Sequence, residues 1–221
     1  MVIDFHAHVF PDRIAARALE TLEANSGVFP CTDGTYEGLR AGNARAGIDK
    51  SVIQNIATNA KQQKNVNDFA IGTDSGDMIA FGSVHPFAPD AADELGRIAG
   101  AGLKGIKLHP DYQDFYADDE RVFPVYEEAA RLGLITVFHA GVDIGLYDPV
   151  HCTPQRLARV LPVFEGAPVV AAHFGSSMLW FDVEKYLVGK DVYFDTAYCY
   201  SRMPLGLARR IIEAHGPDRI L

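Results

Sequence analysis

Residues 2–8 read VIDFHAH, a run of β-branched and aromatic residues that ends in two histidines. Valine, isoleucine and phenylalanine favour strands, and residues two apart on a strand point to the same side of a sheet. Imidazole nitrogen is also a preferred zinc ligand, at about 2.0–2.1 Å from the ion. The stretch therefore predicts a strand whose end presents His6 and His8 together, as two ligands for one ion.

Comparable apolar runs recur along the whole chain. They begin 23 to 49 residues apart, which is roughly the length of a strand-plus-helix unit. Apolar residues on both sides of a run are typical of parallel strands that are covered by helices. After the first run at 2–6, the predicted strands are 51–56, 78–84, 104–108, 134–138, 168–172, 191–194 and 219–221.

Between these runs, apolar residues recur at the three- and four-residue spacing of an amphipathic helix. One predicted helix ends at Gly133, and another has Thr153 as its N-cap and Pro154 at its first position. The apolar stripes are Val122, Val125, Tyr126 and Ala129, then Leu157, Val160, Leu161 and Phe164, then Ala208, Ile211 and Ile212.

Seven such units and the beginning of an eighth strand predict a TIM-type (β/α)8 barrel of the α/β class, forming one domain over residues 1–221. A doubly wound open sheet is the competing architecture, but it usually carries a glycine-rich phosphate loop after a strand. Residues 6–11, HAHVFP, contain no glycine. The barrel is expected to be cut short in its eighth strand at 219–221, with weakened closure unless a contact in an oligomer covers the gap.

The composition limits the partners of the chain. Its net charge of −9 and sequence pI of about 5.3 argue against nucleic acid or an anionic membrane surface, since both need a basic face. No stretch approaches the ~18 apolar residues of a membrane span. Cys31, Cys152 and Cys199 lie far apart, so reduced thiols in a cytoplasmic protein are expected. The expected partner is a small-molecule substrate, with a homo-oligomer left open.

Six of the eight histidines fall at or just after the end of a predicted strand. In a barrel those strand ends meet on one face, where active sites are built. His85 and His109 each precede a proline. His85 is therefore interpreted as structural or as supporting the site, and His109 either closes a turn or lies near the substrate. The six are His6, His8, His85, His109, His139 and His173.

Five segments around these histidines resemble one known family. They are VIDFHAH at 2–8, GIKLHP at 105–110, VFHAG at 137–141, AAHFG at 171–175 and VYFDT at 192–196. In this order they are similar to the amidohydrolase-related metal-dependent enzymes, which include amide and lactone hydrolases and the aminocarboxymuconate semialdehyde and γ-resorcylate decarboxylases. The resemblance implies a metal-dependent barrel with a divalent ion, zinc being the expected one.

The resemblance also implies roles for single residues. His173 matches a histidine that either joins the metal site or acts as an acid or base beside it. His109 and Lys107 match a segment near the substrate, and in some distant relatives a lysine on this strand is carboxylated and bridges two metals. The implied metal ligands are His6, His8, His139 and His173.

Three further residues are candidates from their positions. Asp195 ends the seventh predicted strand, where it either orients a histidine and takes part in catalysis or caps a helix. Tyr112 and Arg202 are candidates for binding a substrate carboxylate. Members of the family normally continue after a segment like GPDRIL at 216–221 into a turn with an aspartate ligand or base, so an incomplete metal site and low activity are expected. The long connection 10–50 is expected to cover the barrel mouth.

These residues predict hydrolysis of an amide, lactone or related bond in a small carbonyl compound, since a metal with an open position activates water near neutral pH. His173 would move the proton. Two alternatives stay open. The same ligands suit decarboxylation of a small aromatic or unsaturated carboxylic acid, which is a lyase reaction. A catalytically inactive barrel that only binds metal is the third possibility.

Overall fold

The computed structural model describes residues 1–221, and its strands all pair in parallel. Each strand begins within two residues of the predicted position. The alternation of short apolar runs with helical stripes therefore located the strands correctly. They are β1 (Ile3–Ala7), β2 (Lys50–Gln54), β3 (Met78–Phe81), β4 (Gly105–Leu108), β5 (Ile135–Phe138), β6 (Val169–Ala171) and β7 (Tyr193–Phe194).

The strands follow one another in sequence order around the molecule, in two sheets of order β1-β2-β3 and β4-β5-β6-β7. A bridge between Gly82 and Ile106 joins the two sheets, and Lys107 N donates to Gly82 O at 2.8 Å. Beyond β7, Ile220 forms a parallel bridge with Phe194. The predicted eighth strand therefore lies beside β7, and this order is that of a TIM-type barrel.

The third strand ends three residues earlier than predicted, at Phe81. The buried side chain of Asn67 supplies the physical reason, since it bonds both the N–H and the C=O of Ser83, each at 2.8 Å. A side-chain amide therefore occupies backbone groups that a neighbouring strand would otherwise use.

Eight helices separate and cover the strands. Thr153 caps α6 as predicted, because its side chain accepts from Arg156 N at 3.3 Å. The connection between β1 and β2, the longest in the chain, contains two of the helices. The helices are α1 (Asp12–Ser26), α2 (Tyr36–Ala46), α3 (Gln63–Thr73), α4 (Ala91–Gly100), α5 (Phe123–Arg131), α6 (Pro154–Val160), α7 (Trp180–Tyr186) and α8 (Leu205–His215).

The hydrophobic core is concentrated in the second half of the chain. One cluster of 35 buried residues packs β4–β7 against the surrounding helices. The expectation that every strand is buried on both sides is wrong for β1, where Ile3 is 48% exposed and only Ala7 is buried. The reason is that β1 pairs with β2 alone, so its other edge has no neighbouring strand.

The three cysteines are free thiols, two of them buried. Among the helices, none combines the length and the apolar character that crossing a membrane requires.

Candidate metal centre and active site

The carboxyl ends of the parallel strands bring the predicted site residues to one end of the barrel. His8 directly follows β1, His109 follows β4, His139 follows β5, and Asp195 directly follows β7. His173 lies two residues beyond β6. Parallel strands place such residues at the same edge because each strand runs in the same direction.

His6 and His8 form the first pair of imidazoles. Their Nε2 atoms lie 3.1 Å apart, so the two side chains point to the same side as the spacing predicts. The other nitrogen of each ring is held by a protein acceptor. His6 Nδ1 donates to Asp195 Oδ2 at 2.8 Å, and His8 Nδ1 donates to Gln54 O at 2.7 Å. With both protons on Nδ1, each Nε2 offers a lone pair toward the other.

His139 and His173 form the second pair. His139 Nδ1 and His173 Nε2 lie 3.1 Å apart. His173 Nδ1 donates to Ala197 O at 3.0 Å, which leaves Nε2 as the nitrogen with the lone pair. The Nε2 atom of His139 is buried and has no hydrogen-bond partner.

The two pairs are neighbours, because the rings of His6 and His173 stack with centroids 4.9 Å apart. Lys107 lies beside them, fully buried, with Nζ 3.5 Å from His6 Nε2. Burial lowers the pKa of Lys107 to about 8, although the carboxylate of Asp195 opposes this shift. Burial, together with His6, lowers the pKa of His173 to about 3.

Asp195 organises this part of the site. Besides His6, it accepts from His173 N at 2.9 Å and from Ala197 N at 3.1 Å through Oδ1. His173 and Phe174 have left-handed φ values of 62° and 60°, which are uncommon outside glycine. Burial favours the neutral acid, but His6 outweighs it and lowers the pKa of Asp195.

Of the two alternatives for Asp195, its bond to the His6 ring favours orienting a histidine. The following helix, α8, begins at Leu205 with Pro204 at its N-cap, so Asp195 caps no helix. A catalytic role for Asp195 stays a prediction.

A second polar group contains His109, His139 and Asp143, whose ligand atoms lie within 4.8 Å of one another. Tyr112 stacks on His109 with ring centroids 4.0 Å apart, and His109 stacks on His139 at the same distance. The structure thus brings the predicted substrate-binding residues His109 and Tyr112 next to the histidine pair. Asp143 was missed by the sequence reasoning. The available signal was a carboxylate four residues after a histidine at the end of a strand.

Arg202 is not brought into contact with these groups. Its side chain is exposed, and its guanidinium lies 5.8 Å from the ring centroid of exposed Tyr198. Its predicted role in binding a substrate carboxylate has no support from a contact and stays a prediction.

The remaining histidines have local partners. His85 Nδ1 accepts from Phe87 N at 3.3 Å, in agreement with a structural role in a turn. His215 is buried, accepts from Gly189 N and donates to Val192 O. His151 bonds the carboxylate of Asp111 at 3.0 Å.

The histidine pairs fit a divalent metal ion. Four imidazole nitrogens at about 2.0–2.1 Å from a tetrahedral ion lie roughly 3.3–3.4 Å from one another, and each pair here is separated by 3.1 Å. The outer nitrogens of His6, His8 and His173 are bonded to protein groups, as is usual for metal-ligating histidines. His6, His173 and Asp195 also form a group with ligand atoms within 4.8 Å. The ligand set of His6, His8, His139 and His173 stays a prediction.

Comparison with known families decides the relationship of the chain. The amidohydrolase family model matches residues 3–221. The chain belongs to the amidohydrolase family. The predicted resemblance and the TIM-type barrel are thereby confirmed. No curated protein matches this amidohydrolase chain at a significant level.

Solved structures share the fold of this amidohydrolase. It is similar to 5-carboxyvanillate decarboxylase LigW from Sphingomonas paucimobilis, with a TM-score of 0.71 and 17% identity over 100% of this chain and 87% of that chain. A 5-carboxyvanillate decarboxylase from Novosphingobium aromaticivorans, in complex with manganese and a nitrobenzoic acid, has a TM-score of 0.72 and 15% identity over 100% and 84% of the two chains. A probable 2-pyrone-4,6-dicarboxylic acid hydrolase from Acinetobacter baumannii has a TM-score of 0.62 and 16% identity over 100% and 82%. At these identities the likeness concerns the fold.

Proposed function

We propose that this amidohydrolase is a metal-dependent decarboxylase of a small aromatic or unsaturated carboxylic acid. The observation that carries the proposal is the buried ammonium group of Lys107, 3.5 Å from His6 Nε2. Such a site attracts an anionic substrate. The names of two similar structures, both 5-carboxyvanillate decarboxylases, support the lyase alternative over the hydrolysis that the sequence predicted first.

The electrostatics of the site favour a carboxylate as the substrate group. Both nearby carboxylates already have protein partners. Asp195 accepts from His6, and Asp143 contacts His109 and accepts from Gly145 N. A substrate carboxylate about 4 Å from Lys107 would gain on the order of 4 kcal/mol at an effective dielectric constant of about 20. A local positive site is compatible with the net charge of −9, which is spread over the whole chain.

His6, His8 and His139 would hold the divalent ion. Bound there, the ion would neutralise a substrate oxygen and withdraw electrons from the bond to be broken. Zinc was the expected ion, and manganese is equally a candidate because the similar Novosphingobium structure contains it.

We assign the proton transfer to His173. In decarboxylation the bond between the carboxyl carbon and the substrate breaks, its electron pair stays on the substrate carbon, and a proton takes the place of CO₂. Burial, together with His6, lowers the pKa of His173 to about 3, so the ring is neutral near pH 7 and would pass a proton from solvent through Nε2 rather than store one. The bond from Nδ1 to Ala197 O keeps the ring oriented with Nε2 toward His139.

Hydrolysis is the second candidate. The observation that favours it is the likeness to the probable 2-pyrone-4,6-dicarboxylic acid hydrolase, whose named substrate is also anionic. The same histidine pairs suit a carbonyl group as well as a carboxylate.

The deciding experiment incubates zinc- or manganese-loaded protein with hydroxylated benzoic acids, and separately with lactones and amides. We expect CO₂ release from an acid of the first panel, with deuterium at the vacated carbon when the reaction runs in D₂O.

Lys107→Met should raise KM for that acid about tenfold or more, because the variant loses the charge that attracts the carboxylate. Lys190→Met, at an exposed site, should leave KM unchanged. Hydrolysis without CO₂ would overturn the proposal in favour of the second candidate. Inactivity toward both panels in fully loaded protein would favour the metal-binding barrel without catalysis.

A further inference from the structure

His139 is the exception among the four paired histidines. In His6, His8 and His173, the nitrogen that faces away from the partner ring is bonded to Asp195, Gln54 O and Ala197 O respectively. The corresponding atom of His139 is Nε2, which is buried and unpartnered. Leaving a buried imidazole nitrogen without a hydrogen-bond partner costs free energy. A group that faces this nitrogen and accepts its hydrogen would remove that cost.

That group is the carboxylate of Asp143. Its Oδ2 lies 3.8 Å from His139 Nε2 and 3.4 Å from His109 Nε2. Its other oxygen, Oδ1, accepts from Gly145 N at 2.8 Å, which anchors the carboxylate to its own loop. Asp143 is 7% exposed, so little water competes for Oδ2.

The neighbouring His109 already has its proton on the side of Asp143. His109 Nδ1 accepts from Tyr112 N at 3.3 Å, so Nε2 carries the hydrogen and points it toward Oδ2. One carboxylate oxygen has two lone pairs and therefore has room for a second donor, His139 Nε2–H.

A metal ion shared by His109, His139 and Asp143 fits this arrangement poorly. The two rings are parallel within 10° and stacked at 4.0 Å. An ion lies close to the plane of each imidazole that binds it, and two stacked parallel planes share no such point. A carboxylate beside the ring edges has no such restriction, since hydrogen bonds tolerate larger departures from the ring plane.

We propose that Asp143 is a positioning residue that accepts the Nε2–H of His139 and so directs the Nδ1 lone pair of His139 toward His173 and the metal. The proposal rests on the metal site of the proposed function. His139 would then have a hydrogen-bond acceptor for the nitrogen that faces away from its partner ring, as His6, His8 and His173 already have. The contact of 3.8 Å would have to shorten by roughly 1 Å to reach hydrogen-bond length.

The test measures zinc affinity of the full chain by competition with a chromophoric chelator. Asp143→Ala should weaken zinc binding by about 10–100-fold, the range found for outer partners of metal-binding histidines. Asp143→Asn keeps an acceptor oxygen and should lose less. The matched control is Asp93→Ala, which removes an exposed carboxylate at the start of α4 and should bind zinc like the unmodified chain.

A spectroscopic readout separates positioning from a general structural effect. In zinc-loaded protein, long-range ¹H–¹⁵N correlation spectra should show a slowly exchanging Nε2–H for His139, and Asp143→Ala should lose this protection while the metal-free variant melts within about 2 °C of the unmodified chain. Unchanged zinc affinity in Asp143→Ala, or a His139 protonated on Nδ1 in the zinc-loaded protein, would overturn the proposal.

These outcomes are distinguishable from failure of the proposed function. Weakened zinc binding in Asp143→Ala without CO₂ release from any acid would retain the positioning role and remove only the decarboxylase. An unmodified chain that binds neither zinc nor manganese would overturn both.

Discussion

At the scale of single residues, the outer hydrogen bonds of the histidines decide which nitrogen each ring offers to the site. Asp195 shows how one side chain does this for two residues, since it bonds the His6 ring and the backbone N–H of His173. The left-handed backbone at His173 and Phe174 is held by the same residue, because Phe174 N donates to the backbone oxygen of Asp195 at 2.7 Å. Such strain persists only where surrounding contacts determine the conformation.

The role of His173 is open to a direct test. If it moves the proton, His173→Ala should retain the metal and lose roughly 10²–10⁴-fold in turnover. Metal content and turnover of the loaded variant are the measurements, with His85→Ala as the control because the His85 ring accepts from Phe87 N within its own turn and belongs to neither histidine pair. Loss of the metal together with activity would make His173 a ligand instead.

Removing Asp195 should affect both metal binding and stability. Asp195→Ala leaves the His6 ring and two backbone N–H groups without their acceptor, so we expect metal affinity to fall about 10–100-fold. The free energy of unfolding should fall by roughly 1–3 kcal/mol for an unsatisfied buried donor. Denaturant unfolding of the metal-free protein measures the second effect. Asp191→Ala, at an exposed ion pair with Arg219, should change neither value appreciably.

At the scale of elements, a half-buried carboxylate ties α6 to the segment that precedes α5. Asp118 accepts from Arg156 and Arg159, both on α6. The core beneath is aromatic, with the rings of Tyr126, Phe138 and Phe164 packed at centroid distances of 5.1–6.0 Å. The ion pairs therefore hold the start of α6 over the largest apolar cluster of the molecule.

This contact predicts a stability that depends on pH. Burial favours the neutral form of Asp118, but hydrogen bonds from Arg156 and Arg159 outweigh it and lower the pKa below the ordinary 3.8. A lowered folded pKa stabilises the native state at pH values above 3.8 and loses this effect as the pH falls through the folded value.

Asp118→Asn should therefore melt at a lower temperature than the unmodified chain at pH 7. The difference between the two should shrink as the pH is lowered below about 4. Thermal melts of both proteins from pH 7 to pH 3 measure it. A difference that stays constant over this range would contradict an ionic contribution from Asp118.

At the scale of the whole molecule, the site gathers residues from most of the barrel. Among the paired histidines, His6 lies on β1 and the others follow β1, β5 and β6, while Lys107 lies on β4 and Asp195 follows β7. An ion held by His6, His8 and His139 would link both sheets, because β1 and β5 belong to different sheets. Its binding free energy is thereby added to the free energy of unfolding.

Metal should therefore stabilise the fold. Chelation should lower the melting temperature, and zinc or manganese at about 100 times its Kd should restore roughly 2.7 kcal/mol. Differential scanning calorimetry with and without chelator measures the effect, and magnesium at the same concentration is the control because it prefers oxygen ligands. Equal melting temperatures in all conditions would show that the histidines hold no ion in the native state.

The sequence by itself determined the barrel, the parallel strand order and the position of the histidines at the strand ends. It did so because strands and helices have different apolar periods, and because histidines at spacing two on a strand share a side. His6 and His8 are the clearest case, since the spacing of two predicts that their side chains point to the same side, and their Nε2 atoms lie 3.1 Å apart.

Only the tertiary structure decided what surrounds these histidines. Asp195 is 189 residues from His6 in sequence, and Lys107 is 101 residues from it. Their positions on the strands predicted that they share one end of the barrel, but not which histidine each of them contacts. Asp143 lies in the site although the sequence reasoning did not name it, whereas Arg202 was named and makes no contact with the site residues, so its role stays a prediction. The physical reason is that ring orientation and side-chain pairing depend on how loops from separate strands pack together, whereas strand periodicity depends only on neighbours along the chain.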